Sequence, residues 1–250
     1  MVLNFDEDRV AMLSPCDMVE KIEGMPETVV TFFDDKIMDE FLRLYKVETI
    51  GSTAIKKHTI YKTVVNGKEI AVVLAGIGAP LSVALFEEVC FMGAKNILMF
   101  GSCGVLTDIK EASIIIPYAA VRDEGTSFHY APAGEEIQLN PVYVDRLEKL
   151  CKEAEVDYVK GKTWTNDAFY RETKAKVAQR VKEGCICVEM ECSAMAAFAN
   201  LRNVNFAQFF YAADSLAKEK WDMRILQGES LQGEEIALKL ALEFATKLFD

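Results

Sequence analysis

Apolar residues follow one another along the chain in two distinct patterns. Short apolar runs bounded by turn residues predict buried strands, at 28–33, 96–100, 112–121, 156–162, 186–189 and 205–212. Longer stretches with helical spacing predict helices, at about 34–45, 81–92, 141–154, 172–182, 192–201 and 234–249. Strands that alternate with helices predict an α/β fold with a central mixed, mostly parallel sheet flanked by helices.

A hairpin interrupts this alternation. Segments 58–65 and 69–75 flank Asn66-Gly67, which predicts a tight turn because both central residues must take positive φ. The first 27 residues are predicted to be irregular, since they contain three breakers, Pro15, Gly24 and Pro26. No linker or repeat follows, so residues 1–250 are expected to form a single domain.

The composition argues against several classes of function. A net charge of −11 gives no basic surface, so nucleic acid is not expected as a partner. No apolar run approaches about 18 residues, and the acidic N-terminus lacks a signal-like apolar region, so we expect a cytoplasmic protein without membrane contact. Seven cysteines without CxxC spacing and two histidines favour reduced thiols over disulfides or a metal site.

Two predicted strand ends carry glycines. Ala75-Gly-Ile-Gly-Ala-Pro80 joins a strand to a helix, and Gly101-Ser-Cys-Gly104 directly follows the strand at 96–100. Glycines there allow backbone N–H groups to approach an anion, and Ser102 adds a hydroxyl. A plain tight turn explains the first motif equally well, and the second is not the GxSxG elbow of serine hydrolases.

Two further strand ends carry carboxylates. Val188-Glu-Met-Glu191 places Glu189 and Glu191 where a strand runs into an apolar helix, and Tyr211-Ala-Ala-Asp214 places Asp214 just past another strand. Buried carboxylates are costly without partners, so a surface turn or a helix cap is the simple interpretation. The alternatives are a carboxylate that holds sugar hydroxyls and an acid that protonates a substrate nitrogen.

The segment 121–130 combines charges of both signs with a histidine and aromatic residues. Loops of such mixed composition are often binding surfaces. A solvated loop, with His129 as a structural side chain, is the open alternative.

Taken in order, these segments resemble the nucleoside phosphorylase-I family, which includes purine nucleoside phosphorylases, uridine phosphorylases and related nucleosidases. The resemblance runs from about residue 28 to the C-terminus. Its most specific parts are Gly76-x-Gly78-x-Pro80, Gly101-Ser-Cys-Gly104, Val188-Glu-Met-Glu191 and the strand that ends at Asp214. The loop at 122–132 is most similar to the uridine phosphorylase branch.

The resemblance implies a role for each matching residue. Met190 and Glu191 match the pair that lines the ribose, with Glu191 accepting hydrogen bonds from the 2′- and 3′-hydroxyls. Phe169 matches the aromatic residue that stacks on the base, and Asp214 matches the acid that protonates N7 of a purine. Arg224 is the candidate for the arginine that assists this acid.

Other residues are candidates for binding alone. The further substrate-binding candidates are Ser102, Glu189, Arg122 and His129. The phosphate-binding candidates are Gly78, Ser102, Lys36 and Lys56.

The phosphate half of the family pattern is incomplete. Met99 stands where the family has an arginine two residues before the Gly-Ser-x-Gly motif, and Lys36 stands where a second arginine follows the first strand. A third arginine, lent by a neighbouring subunit, falls near Lys56. Lysine binds phosphate as a point charge without the bidentate fork of arginine, and Arg122 is a candidate substitute.

The resemblance implies a pentosyltransferase of nucleotide salvage that transfers ribose from a nucleoside to phosphate. Inorganic phosphate is then the co-substrate, and no cofactor is expected. Asp214 favours a purine base, whereas the loop at 122–132 leaves a uridine phosphorylase open. The replaced arginines leave open a nucleosidase that uses water and a nucleoside-binding protein without activity. Family members form homodimers or hexamers of three dimers, so a homo-oligomer is expected.

Overall fold

The computed structural model describes residues 5–227 and 232–250. Within these residues, ten strands form one sheet. The strands are β1 (Thr28–Phe32), β2 (Glu48–Ser52), β3 (Thr59–Val65), β4 (Lys68–Leu74), β5 (Asn96–Val105), β6 (Ile114–Asp123), β7 (Glu136–Gln138), β8 (Tyr158–Asn166), β9 (Cys185–Glu189) and β10 (Asn205–Ser215). The α-helices are α1 (Asp35–Leu44), α2 (Ala79–Met92), α3 (Pro141–Glu153), α4 (Lys174–Lys182), α5 (Cys192–Arg202) and α6 (Gln232–Ala245).

The sheet is mixed, as the sequence predicts. Its strand order is β10-β6-β8-β9-β5-β1-β4-β3-β2, with β7 paired to β6. β1 runs parallel to β4 and β5, β5 runs parallel to β10, and β8 runs parallel to β6 and β9. Antiparallel pairing joins β5 to β9, β6 to β10 and the outer strands β2, β3 and β4.

Five strands close into a ring, which the sequence pattern did not predict. Because β10 pairs with β5 as well as with β6, the ring runs from β5 through β10, β6, β8 and β9 back to β5. Gly104 of β5 lies opposite Asp214 of β10 on one side and opposite Val188 of β9 on the other. The ends of β9 and β10 are therefore separated by a single strand.

Helices cover both faces of the sheet. On one face α1 contacts α6, and Phe244 of α6 meets Phe209 of β10 with ring centroids 6.1 Å apart. On the other face α2 contacts α5, and Phe206 of β10 lies beside Ala196 and Ala199 of α5. Phe206 and Phe209 point to opposite faces because side chains alternate along a strand.

The predicted hairpin is confirmed. β3 and β4 pair antiparallel up to Val65 and Lys68, and the two residues between them, Asn66 and Gly67, have φ values of 50° and 78°. These are the left-handed conformations that a two-residue hairpin turn requires.

The structure differs from the predicted elements in a few places. β2 and β7 were not predicted, because their residues are polar and only partly buried. β5 and β10 continue past their predicted ends to Val105 and Ser215. The helix predicted from residue 172 begins only after Thr173, whose hydroxyl caps α4 by accepting the Lys176 N–H at 3.3 Å. Within the described residues, no helix is both long enough and apolar enough to span a bilayer.

Candidate active site

Glu191 lies where β9 passes into α5. It is the cap residue of α5 and is 5% exposed. The Gly78 N–H, at the start of α2, donates a hydrogen bond to Glu191 Oε1 at 2.6 Å. Gly78 has a φ of 93°, a conformation that strains any residue with a Cβ atom. Two motifs that are far apart in the sequence therefore meet in one site.

The surroundings of Glu191 favour its neutral form. Burial, together with the nearby Glu189 carboxylate, raises the pKa of Glu191 to about 8, while the Gly78 N–H opposes this shift. A ligand whose hydroxyl groups donate hydrogen bonds to the carboxylate favours the ionised form instead.

Glu189 uses both carboxylate oxygens within the protein. Its Oε2 accepts the N–H groups of Glu191 and Cys192 at 2.8 and 2.7 Å. Its Oε1 accepts the hydroxyls of Thr165 and Thr163 at 2.6 and 3.2 Å. Two of these four donors are backbone N–H groups at the start of α5, so Glu189 satisfies groups that the helix itself leaves without an acceptor. The two threonine hydroxyls hold its other oxygen. Its predicted contact with substrate stays a prediction, and its observed contacts fix the position of Glu191.

Asp214 lies near the end of β10, where the register with β5 shifts. Trp221 Nε1 donates a hydrogen bond to Asp214 Oδ2 at 2.6 Å. Burial raises the pKa of Asp214, whereas the Trp221 hydrogen bond and the charge of Arg224 lower it. Arg224 itself donates from Nη1 to the Ile109 carbonyl at 2.9 Å and lies 3.8 Å from the Asp222 carboxylate. Arg224 therefore acts on Asp214 through its charge.

Gly104 allows β9 and β10 to approach β5 closely at this point. A Cβ atom on Gly104 would lie 3.3 Å from Asp214 Oδ1 and 3.2 Å from Val188 Cγ1, and only 2.7 Å from a methyl group of Leu216. The glycine of the predicted Gly-Ser-Cys-Gly motif is thus needed for packing beside Asp214.

Phe169 lies in a short 3-10 turn that follows β8. It is 50% exposed, and its ring centroid is 4.1 Å from that of Tyr170. An exposed aromatic pair at the carboxyl end of a strand is available to stack on a planar ligand.

Glu172, which the sequence reasoning missed, follows this turn. Its N–H donates to the Phe169 carbonyl at 3.2 Å, and its Oε1 accepts a hydrogen bond from Asn166 Nδ2 at 3.2 Å. Burial raises the pKa of Glu172 to about 7, and the nearby charge of Asp214 acts in the same direction. In the sequence Glu172 resembles an ordinary first-turn acid of a helix. What distinguishes it is the nearby charge of Asp214 in the fold, which no sequence pattern indicates.

Ser102 is exposed near the end of β5, opposite Tyr211 of β10. Burial raises the pKa of Tyr211, and the charges of Glu234 and Asp34 raise it further. Lys36 lies close enough to lower the pKa of Glu234. The predicted phosphate-binding region therefore combines Lys36 with two acids.

Arg122 is held within its own loop. Its Nε donates to Ser127 Oγ at 2.8 Å, and Nη1 and Nη2 donate to the carbonyls of Pro132 and Ala131 at 2.6 and 3.3 Å. Its guanidinium carbon lies 4.1 Å from the centroid of the Phe128 ring. Through these contacts Arg122 orders the loop at 127–132. The geometry therefore gives no support to the prediction that Arg122 replaces a phosphate-binding arginine of the family.

The remaining predicted residues lie at the edge of the site or outside it. Met190 is half-buried beside Glu191. His129 is exposed, and Lys56 is exposed in the connection between β2 and β3 with a φ of 61°. Met99 is fully buried in β5 between Thr31 and Gln208 on the adjoining strands, so it lies in the core and not at a surface open to an anion.

A family model described as the phosphorylase superfamily matches residues 24–248. The chain belongs to the phosphorylase superfamily. The match includes every strand of the sheet and both carboxylate motifs, and it confirms the family resemblance found in the sequence.

Curated relatives of this superfamily member include two bacterial proteins named purine nucleoside phosphorylase DeoD-type. The protein from Exiguobacterium sibiricum is 28% identical, over 73% of this chain and 77% of the relative. The protein from Bacillus cereus strain ZK is 29% identical, over 68% of this chain and 69% of the relative.

Solved structures of this superfamily share its fold. A purine nucleoside phosphorylase from Toxoplasma gondii, in complex with immucillin-H, has a TM-score of 0.79 at 22% identity and covers 90% of this chain and 92% of its own. A uridine phosphorylase from Vibrio fischeri has a TM-score of 0.78 at 22% identity and covers 95% of this chain and 99% of its own.

Proposed function

We propose that this protein is a nucleoside phosphorylase that cleaves the N-glycosidic bond of a purine nucleoside to give the free base and ribose 1-phosphate. The observation that carries the proposal is the placement of two acids on either side of β5: buried Glu191 directly after β9, and half-buried Asp214 near the end of β10. Neighbouring strands lie about 4.8 Å apart, so the two strand ends are roughly 10 Å apart. That span suits a ribose at one end and a base at the other.

The proposed reaction builds opposite charges at the two ends of the breaking bond. The bond between C1′ and the base nitrogen breaks, its electron pair moves into the base, and the sugar gains oxocarbenium character. Glu191 holds the ribose hydroxyls and stabilises the positive sugar, with Met190 alongside. Phe169 stacks on the base, and a proton delivered from Asp214 to N7 neutralises the departing purine, with Arg224 assisting through its charge.

Phosphate is the proposed acceptor. An oxygen of inorganic phosphate forms the new bond to C1′, and Ser102 and Lys36 are the proposed contacts. Backbone N–H groups of the glycine turn around Gly78 are added to them, other than the Gly78 N–H itself, which is bonded to Glu191. Lys56 is proposed to act on a neighbouring subunit, since it is exposed on its own. The reaction needs no further cofactor, and we assign it to nucleotide salvage in a homodimer or a hexamer.

A hydrolase is the second candidate, and one observation favours it. Asp34 and Glu234 lie near Ser102 and Tyr211, and acids beside the acceptor position oppose an anion but not water. Lys36 offsets part of this charge, and family membership supports the phosphorylase as the first choice.

The base preference is tested with a panel of nucleosides. Inosine, adenosine and uridine are each supplied with phosphate, and the free base is measured by chromatography. We expect the two purine nucleosides to be cleaved faster than uridine, because an acid at Asp214 has N7 as its target only in a purine. Cleavage of uridine alone would assign the protein to the uridine branch, and no cleavage of any nucleoside would support a binding protein.

A further inference from the structure

Glu172 is placed at the base end of the proposed site by three neighbouring elements. It follows the turn that carries Phe169, and its N–H is bonded to the Phe169 carbonyl. Its carboxyl group is half-buried and bonded to Asn166, the last residue of β8. The charge of Asp214 on β10 acts on it. Glu172 therefore lies beside the turn of the proposed base-stacking ring and within reach of the charge of Asp214.

The hydrogen bonds fix which oxygen of Glu172 is free. The Ala168 N–H donates to Asn166 Oδ1 at 3.2 Å, and this orients the amide so that Nδ2 points to Glu172. Because Nδ2 can only donate, Glu172 Oε1 acts as an acceptor. A proton on Glu172 is therefore carried by Oε2.

Burial and the charges around Glu172 favour its protonated form. Lys176 of α4 is the nearby cation, but its Nζ is paired with the Asp123 carboxylate at 2.9 Å. Among the residues that the structure describes, no lysine or arginine forms an ion pair with Glu172. Burial and the Asp214 charge then outweigh the Asn166 hydrogen bond and raise the pKa of Glu172 to about 7.

Asp214 has different surroundings. Burial raises its pKa too, and Asp222 acts in the same direction, but the Trp221 hydrogen bond and the positive charge of Arg224 both favour the carboxylate. Two carboxyl groups whose environments differ in this way divide the roles of acid and base between them.

We propose that Glu172 and Asp214 form an acid pair that holds one proton at neutral pH, and that Glu172 carries this proton for the departing base. The inference rests on the proposed function and deepens it. The proton leaves Glu172 Oε2 and reaches N7 of the purine through Asp214. The glycosidic electron pair moves into the purine ring, a phosphate oxygen bonds to C1′, and water restores the proton on Glu172 after the base departs.

Two substrates separate this role from a structural one. Inosine needs a proton at N7 when its bond breaks, whereas 7-methylinosine has a methyl group at N7 and a ring that is already cationic. We expect Glu172→Gln to lower kcat/KM for inosine by about 10²- to 10⁴-fold, the usual contribution of a general acid. The same variant keeps the wild-type rate with 7-methylinosine, because glutamine still accepts the Asn166 hydrogen bond.

The pH profile gives a second readout. The wild-type kcat/KM for inosine should fall as the pH rises through about 7, since kcat/KM reports the groups of the free enzyme. Glu172→Gln removes this limb, and Glu172→Asp retains it at a shifted pH. Glu183→Gln, which removes a carboxylate paired with Arg180 at the other end of α4, is the matched control and leaves the profile unchanged.

The outcomes are distinct. An equal loss for both substrates, or no loss for inosine, would overturn the role of Glu172 while leaving the proposed function intact. If Glu172→Gln does not fold, an unshifted pH limb in Glu172→Asp would overturn it instead. If the wild type cleaves neither inosine nor 7-methylinosine, the proposed function itself fails.

Discussion

At the residue scale, the carboxyl groups of the site differ in how many donors surround them. Glu189 accepts four hydrogen bonds from the protein. Glu191 and Asp214 each accept one prominent bond, from Gly78 and from Trp221. A carboxylate whose lone pairs are all used is structural, whereas one with unused lone pairs is available to a ligand. This difference assigns Glu191 and Asp214, and not Glu189, to the proposed chemistry.

The first prediction concerns Asp214. Asp214→Asn should lower kcat for purine nucleosides by about 10²- to 10⁴-fold, because the amide cannot pass a proton to N7. The fold should be retained, since asparagine still accepts the Trp221 hydrogen bond through Oδ1. Steady-state kinetics and the thermal unfolding midpoint measure the two effects. A lower midpoint together with full activity of the folded fraction would make Asp214 a structural residue.

The second prediction concerns stability against pH at Glu191. The carboxyl group stays protonated in the folded protein up to about pH 8, against an ordinary value of 4.5. Unfolding between these two pH values releases a proton, so the free energy of unfolding falls as the pH rises. Glu191→Gln, which mimics the protonated form and keeps an acceptor for Gly78, should reduce this fall. Urea denaturation at pH 5, 6.5 and 8 measures it, and identical slopes for the two proteins would contradict the assignment.

The carboxylate motifs could be found in the sequence, but which of their acids is structural and which is available to a ligand could not. Val188-Glu-Met-Glu191 presents two acids in a row, and their roles depend on Thr163, Thr165 and Gly78, which come from distant parts of the chain. Glu172 was missed for the same reason, since its neighbour Asp214 is 42 residues away in the sequence. Long-range contacts of this kind leave no local pattern.

At the element scale, the start of α5 holds in place the residue proposed to bind the ribose. Glu189 satisfies two N–H groups of the first turn, and this turn carries Glu191. Glu189, the last residue of β9, therefore ties this strand to the first turn of α5.

The third prediction follows from this cap. Glu189→Ala should lower the free energy of unfolding by at least about 2 kcal/mol, because it removes a helix cap and leaves buried donors unpaired. It should also lower activity, since Glu191 is no longer held in place. Chemical denaturation and kinetics on the folded variant check both. A variant with wild-type stability and a raised KM alone would instead support direct binding of substrate by Glu189.

Most elements could be predicted because their patterns are local. The hairpin at Asn66-Gly67 and the helix that begins at Pro141 follow from turn and capping residues. The closure of the strand ring could not be predicted, because it depends on β10 pairing with β5 and with β6 at the same time. The polar edge strands β2 and β7 lack the apolar run that marks a buried strand.

At the scale of the whole molecule, the charge of the protein bears on whether phosphate or water accepts the ribosyl group. The net charge of −11 opposes the approach of an anion, and Asp34 and Glu234 add acids near Ser102. Met99 is buried in the core and contributes no charge. In the proposed phosphorylase, phosphate binding would therefore rely on Lys36, on backbone N–H groups and on residues lent by a second subunit.

The phosphate dependence of inosine cleavage tests the central claim most directly. The protein is incubated with inosine in a buffer free of phosphate and in the same buffer with phosphate added, and hypoxanthine and ribose 1-phosphate are measured. We predict that cleavage requires phosphate and yields the two products in equal amounts. Release of hypoxanthine and free ribose at the same rate without phosphate would contradict the phosphorylase and establish the hydrolase.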